Sequence, residues 1–194
     1  MLLIRHGPTP WNVEGRIQGH TDLSLGPAGR QEVVGWHVPA EFHAYEWVAS
    51  PLARALETAC LLGVGRVRCD PRLAEMSWGE WEGRTWADLR AQYGAAVAQQ
   101  EARGLDFSPP GGETPRRLVA RVRAWTLDIT ARGHPVAAVT HKGVIQAALA
   151  MATGWDLTGK PPYRLDWASA HLFGIHRDGT LAVERLNIGL KGHD

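Results

Sequence analysis

Cysteine is scarce: Cys60 and Cys69 are the two in 194 residues. Two thiols make neither a disulfide framework nor a zinc ligand set, and both are expected to be reduced, half-buried side chains of a cytosolic protein. Excess charge is also lacking. Lys and Arg number 21 against 20 Asp and Glu, a net of +1, so no basic field points to nucleic acid or to a membrane surface. No apolar run approaches the roughly 20 residues of a membrane span. The opening "MLLI" before Arg5 is too short for a signal peptide, which needs about 7–15 apolar residues after a basic region. If residues 5 and 6 are functional, no removable leader is expected either. Internal repeats, linkers and low-complexity tracts are missing. The expectation is a soluble, cytoplasmic protein. With 44% hydrophobic residues, it should build a full core as a single domain over 1–194.

What is present reads as alternating strands and helices. Leu2, Leu3 and Ile4 suggest a short buried strand, followed by a polar loop over 7–25. Pro27 suits the first position of a helix running to about His37. Trp47–Ala49 read as a strand. Ser50 then fits an N-cap and Pro51 the first helical position, with Leu52, Ala55, Leu56, Ala59 and Leu62 as one apolar face and Gly63 as the stop. Residues 66–69 suggest another strand. Thr85 and Thr114 can cap two further helices, the second lined by Leu118, Val122, Trp125 and Ile129 and stopped by Gly133. "PVAAVT" is a continuous apolar run suited to a doubly buried strand, and "GVIQAALAMATG" reads as a helix. Asp178-Gly179 between two apolar runs signals a hairpin. The pattern predicts an α/β fold: a three-layer α/β/α sandwich with a mostly parallel sheet and a C-terminal hairpin.

Ligands of such sheets bind beyond the carboxyl ends of the strands. Arg5 and His6 fall at the end of the first strand, Arg54 in a first helical turn, and His141 at the end of "PVAAVT". Guanidinium forks bind phosphate oxygens, and helix N-termini add N–H donors. A pocket that only held phosphate would not need imidazoles. A neutral imidazole is a nucleophile, and neighbouring Arg5 and Arg54 should keep His6 neutral near pH 7. A phosphoester also needs a proton for its leaving oxygen. Glu75, Glu80 and Glu82 are candidates. Glu75 follows the 66–69 strand most closely, and partial desolvation would suit it to general acid work.

"LIRHG", "RIQGHTDLSL", "ASPLARALETA", "LAEMSWGEWEG", "PPGGET" and "VTHKGVIQAAL" together resemble the histidine phosphatase superfamily, the phosphoglycerate-mutase-like fold, in order and over essentially the whole chain. The resemblance implies that His6 is the phosphorylated nucleophile and that Arg5, Arg54 and His141 complete the phosphate pocket. It implies that Glu75 is the proton donor, and that Thr9, Asn12, Gln18 and Gly19 lie on the loop touching phosphate or substrate. No metal and no cofactor are implied. The segments "GEWEGRTW" and "PPGGET" are most similar to small phosphatases such as alpha-ribazole phosphatases. Mutases resemble a longer version with an arginine and a tyrosine close after the acid, where this chain has Met76, Ser77 and Trp78. Pro8 stands where the family commonly has Glu or Gln, and Lys142 where it usually has Gly.

The expected function is a metal-independent phosphomonoester hydrolase acting on small phosphorylated metabolites. The alternatives are a phosphoglycerate mutase or a non-catalytic phospholigand-binding protein, which would have no use for a nucleophile and an acid. The partner is a small phosphoester; oligomeric state stays open, a homodimer being one arrangement. Trp78 or Trp81 can wall the substrate site, His20 can edge it, and Lys142 either points to solvent or meets a second anionic group. His37, His43, His134, His171, His176 and His193 are expected to be structural or exposed. "GWDLTGKP" has Gly154, Gly159 and Lys160 of a nucleotide-binding P-loop, but Pro161 replaces the magnesium-binding hydroxyl and no strand precedes it.

Overall fold

Strand β4 (Val136–Thr140) is buried along its whole length and lies between β2 (Glu46–Ala49) and β1 (Leu2–Arg5), to both of which it runs parallel. A computed structural model describes residues 1–191; His193 lies outside the described residues. β3 (Val67–Cys69) continues the parallel set beyond β2, while β5 (Ser169–Ile175) and β6 (Leu181–Gly189) add antiparallel strands beyond β1. The sheet order is β3-β2-β4-β1-β5-β6. Asp178-Gly179 forms the expected turn: the Thr180 N–H donates to Asp178 Oδ1 at 3.0 Å, and Gly179 has φ of +79°.

Period-2 alternation along the strands splits the core into two layers. Leu3, Val48, Ala138 and Phe173 face α6 (Pro115–Arg132) and α7 (Lys142–Thr153). Leu2, Ile4, Trp47, Ala49 and Val139 face the other way, toward α2 (Pro27–Val34) and α3 (Ala53–Leu61). This is the three-layer sandwich read from the sequence. Thr85 caps α4 (Trp86–Tyr93) with a capping box, Thr114 caps α6, and Gly133 ends α6 in the left-handed region, all as expected. Trp125, wholly buried on α6, is one of the largest side chains of the first layer.

Several expectations fail for local reasons. α2 stops at Val34, three residues short of His37, because the chain leaves the helix at Gly35. The 7–25 loop contains one short helix, α1 (Pro10–Val13), capped by Thr9. Residues 95–101 form α5 (Ala95–Glu101), which the sequence did not signal. Cys60 and Cys69 are exposed rather than half-buried: β3 is an edge strand, and Cys60 sits on the outer face of α3. Ser50 and Pro51 do not start α3. The N-cap is Leu52, and the Ser50 hydroxyl accepts from the Leu52 N–H ahead of the helix rather than capping its first turn. The buried face of α3 is made by Arg54, Ala55, Thr58 and Ala59, while Leu56 is exposed.

Candidate active site

The parallel register places the ends of three strands on one edge. Arg5 lies opposite Thr140, and Ala49 opposite Val139. The next residue of each strand therefore meets the others: the His6 N–H donates to the Thr140 carbonyl at 2.9 Å, and the Ser50 N–H to the Val139 carbonyl at 2.9 Å. His6 and His141 are brought together with ring centroids 5.1 Å apart. Arg54, in the first turn of α3, is fully buried beside them.

The protons on the imidazoles follow from their partners. His6 Nδ1 lies 2.7 Å from the Gly7 carbonyl. A carbonyl only accepts, so Nδ1 carries the proton and Nε2 keeps its lone pair. His141 Nε2 is 2.7 Å from Ser50 Oγ, and Ser50 Oγ accepts from the Leu52 N–H at 3.3 Å. The serine proton is thus free to go to His141 Nε2, leaving Nδ1 protonated as a donor. Burial, with the charges of Arg5 and Arg54, holds His6 well below the ordinary imidazole value. Burial, with His6 and the same arginines, does so for His141.

Among the described residues six buried side-chain nitrogens have no hydrogen-bond partner; three of them, Arg5 Nε, Arg54 Nε and His141 Nδ1, belong to this strand-end cluster, while Trp36 Nε1, Trp81 Nε1 and His171 Nε2 lie elsewhere. Buried N–H groups are ordinarily hydrogen-bonded, and leaving one unpaired carries a penalty of about 1–3 kcal/mol. The charges of Arg5 and Arg54 are close enough to act on His6, and the His141 ring is its neighbour. The other guanidinium edge of Arg54 is fixed by the carbonyls of Gly19 at 2.7 Å and Thr21 at 3.1 Å.

Gly19 is a glycine for two reasons. Its φ is +56°, and a Cβ there would stand 2.1 Å from Glu82 Oε1. That carboxylate ties the loop down. It accepts from the His20 N–H at 2.8 Å, the Thr21 N–H at 2.7 Å, the Thr21 hydroxyl at 2.6 Å and the Trp78 N–H at 3.0 Å. Burial opposes its charge, but these hydrogen bonds prevail and hold the carboxyl below its usual value.

Glu75 faces the cleft from the far side. Its carboxylate accepts from the Met76 N–H at 2.8 Å and from the Gly143 N–H at 3.1 Å to Oε1 and 3.2 Å to Oε2. Gly143 lies in the first turn of α7, where a Cβ would come within 2.3 Å of Glu75 Oε1. The cleft, about 730 Å³, is lined by Arg5, His6, Asn12, Gln18, Gly19, Glu75 and Lys142. Trp78, Trp86, Phe107, Trp155, Leu157 and Pro161 make an apolar outer wall; Trp78 meets Trp86 edge-on at 5.7 Å between centroids. The rejected P-loop segment therefore borders the cleft. Arg54 and His141 lie behind its surface.

The loop residues divide. The Thr9 hydroxyl donates to Asn12 Oδ1 at 3.1 Å and accepts from the Asn12 N–H and from Gln18 Nε2. Thr9 is consumed as a cap and does not line the cleft, whereas Asn12 and Gln18 do. Trp78 is a wall and Trp81 is buried. His20 is exposed and its Nε2–H donates to the Glu75 carbonyl at 2.8 Å. Lys142 is the first residue of α7, and its ammonium rests over the Trp167 ring, 5.4 Å from the centroid. Desolvation and then Arg5 lower its pKa. His171 is buried; His37, His43, His134 and His176 are exposed.

Sequence reading missed Ser50 as the partner of His141, Gly143 as the cradle of Glu75, and Trp167, whose ring also lies 5.7 Å from the Arg5 guanidinium carbon. A serine directly after a buried strand was the one available signal, and it was read as a cap.

A mixed sheet that gathers an Arg–His pair, a second arginine and a second histidine at its strand ends has the architecture of a phosphohydrolase of the phosphoglycerate-mutase-like class. The chain belongs to the histidine phosphatase superfamily (branch 1), whose family model matches residues 1–189. Glucosyl-3-phosphoglycerate phosphatase of Mycobacterium tuberculosis is 35% identical over 162 residues, 76% of this chain and 72% of that protein. The 2,3-bisphosphoglycerate-dependent phosphoglycerate mutase of Azorhizobium caulinodans is 28% identical over 198 residues, 95% of this chain and 96% of that one. The crystal structure of the alpha-ribazole phosphatase from Shigella flexneri superposes with a TM-score of 0.79 at 25% identity, covering 100% of this chain and 98% of that one. The resemblance read from the sequence is borne out, and with it the expectation of an enzyme of the small-phosphatase class.

Proposed function

We propose that the chain hydrolyses phosphomonoesters without a metal, through a phosphohistidine on His6. The observation that carries this reading is the gathering at one sheet edge of three buried donors without a protein partner, Arg5 Nε, Arg54 Nε and His141 Nδ1, with an imidazole whose Nδ1 is engaged and whose Nε2 is free. A phosphoryl group at that point would satisfy all three. His6 Nε2 attacks phosphorus, the bond to the leaving oxygen breaks, and Glu75 gives that oxygen its proton. Glu75, now a carboxylate, takes a proton from water as the water attacks phosphorus. The His6–phosphorus bond breaks, and inorganic phosphate leaves. Arg5, Arg54 and His141 stabilise the charge on the equatorial oxygens throughout.

Asn12, Gln18 and Lys142 contact the substrate, with Gly19 and Thr9 shaping their loop. The size of the cleft and its aromatic wall support a leaving group larger than a triose. Met76, Ser77 and Trp78 after Glu75, in place of the arginine and tyrosine of mutases, favour hydrolysis over phosphoglycerate interconversion. Both core layers share one sheet, which supports one domain over 1–194. No helix among the described residues is long and apolar enough to cross a membrane, which accords with a cytoplasmic site of action. Turnover of an aryl phosphate in EDTA tests the proposal: activity is expected, and its absence, with phosphate still binding, would favour the phospholigand-binding alternative.

A further inference from the structure

Glu75 stands on neither a helix nor a strand. It lies in the loop between two single 3-10 turns, Pro71–Leu73 and Gly79–Trp81. Proton donation needs a carboxyl held within roughly half an ångström of its working position. The Met76 and Gly143 N–H groups hold the carboxylate itself, and the loop backbone that carries it needs its own anchors, of which exposed His20 is one.

Arg121, on α6, reaches across to this loop. Its Nη1 donates to the Arg72 carbonyl at 2.6 Å and its Nη2 to the Glu75 carbonyl at 3.0 Å. Its Nε and Nη2 also donate to the two oxygens of Glu113, at 2.8 and 2.9 Å. Glu113 belongs to the same assembly, since its own N–H donates to the Ser77 carbonyl at 2.8 Å. One planar guanidinium thus pins the loop before and at Glu75, and a bidentate carboxylate fixes the plane of that guanidinium. The pair is largely shielded, with side-chain exposures of 21% and 14%. Neither residue lines the cleft, so neither reaches the reacting atoms.

We propose that Arg121, oriented by Glu113, is a positioning residue for Glu75: through the Glu75 backbone it sets where the carboxyl meets the leaving oxygen. The inference rests on the reading of Glu75 as proton donor. A lysine cannot replace it, because a point ammonium does not span two carbonyls and a carboxylate in one plane. A merely structural Arg121 would, when removed, lower turnover of all substrates alike.

The test compares an alkyl phosphate, whose leaving oxygen needs a proton, with a nitrophenyl phosphate, which leaves with little help. Arg121→Met is expected to lower kcat on the alkyl ester by about 10- to 10²-fold, the scale of a catalytic group displaced by an ångström, while the aryl ester changes little and so reports that the enzyme remains folded. Glu113→Gln should show the same selectivity at smaller size. Glu75→Gln with Arg121→Met should be no slower on the alkyl ester than Glu75→Gln alone. Equal losses on both esters in Arg121→Met, with Glu75→Gln still selective, would overturn the inference and leave the acid assignment standing. If Glu75→Gln is itself unselective, the acid assignment falls and the inference falls with it.

Discussion

The imidazoles of His6 and His141, 135 positions apart by their numbers, stand 5.1 Å apart between centroids with their planes at 57°. Two imidazolium ions could not share that site with Arg5 and Arg54, and both rings are held well below the usual imidazole value by burial first. His171, buried on β5, is lowered by desolvation to about 4.

This sets the sign of an acid effect. Between the folded and unfolded pKa values, the unfolded chain binds protons that the folded one refuses, so stability falls as pH drops. The histidine contribution is intact above about 6.5, the unfolded value, and declines below it. At 1.36 kcal/mol per unit, His171 alone would contribute on the order of 3 kcal/mol of loss by pH 4. Urea midpoints should fall steadily from pH 7 to pH 5, and the ring resonances of His6 and His141 should not titrate between pH 8 and 6. Titration of both near 6.5 would contradict the buried, neutral assignment.

Glu75 should matter in proportion to leaving-group basicity. Glu75→Gln is expected to slow alkyl phosphates by roughly 10²–10⁴-fold, the range of general acid catalysis, and nitrophenyl phosphate far less. Steady-state kcat on the two esters checks this, and equal losses would remove Glu75 from the role.

Gly19→Ala should act on the phosphate grip instead. A Cβ would collide with Glu82 Oε1 and displace the Gly19 carbonyl from Arg54. The expected result is a fall in kcat/KM of about 10²-fold, the scale of a small misplacement, on aryl and alkyl phosphates alike. A loss confined to alkyl esters would mean that the loop serves the acid rather than Arg54.

Lys142, over Trp167 at the cleft wall, tests substrate charge. Lys142→Gly should raise KM several-fold for phosphoesters bearing a second anionic group, as expected for a partly exposed contact of about 1 kcal/mol, with a smaller effect on simple aryl phosphates. The difference should shrink as salt rises. Identical KM ratios for wild type and variant would place the ammonium in solvent.

Much of this was legible in the sequence because it is local. The apolar runs ending at Arg5 and Thr140, the caps Thr85 and Thr114, and the Asp178-Gly179 turn each depend on a few neighbouring residues. The partnerships that finish the site are not local. Ser50 looks like a cap until His141, from the adjacent strand, claims its hydroxyl. Glu82 looks like a rival acid until four donors from residues 20, 21 and 78 converge on it. Arg121 carries no signal of its own, since its meaning lies in carbonyls 46 and 49 positions away. The exposure of Cys69 depends on which strand forms the sheet edge, and that of Cys60 on which face α3 turns to the sheet; neither is a local property.

The central claim is that His6 carries the phosphoryl group. Rapid acid-free quenching during turnover, followed by mass spectrometry of the digested chain, should find an acid-labile, base-stable phosphate on His6. His6→Ala should stay folded, lack the adduct and lose turnover. A phosphate on another residue, or ordinary turnover by His6→Ala, would contradict the account.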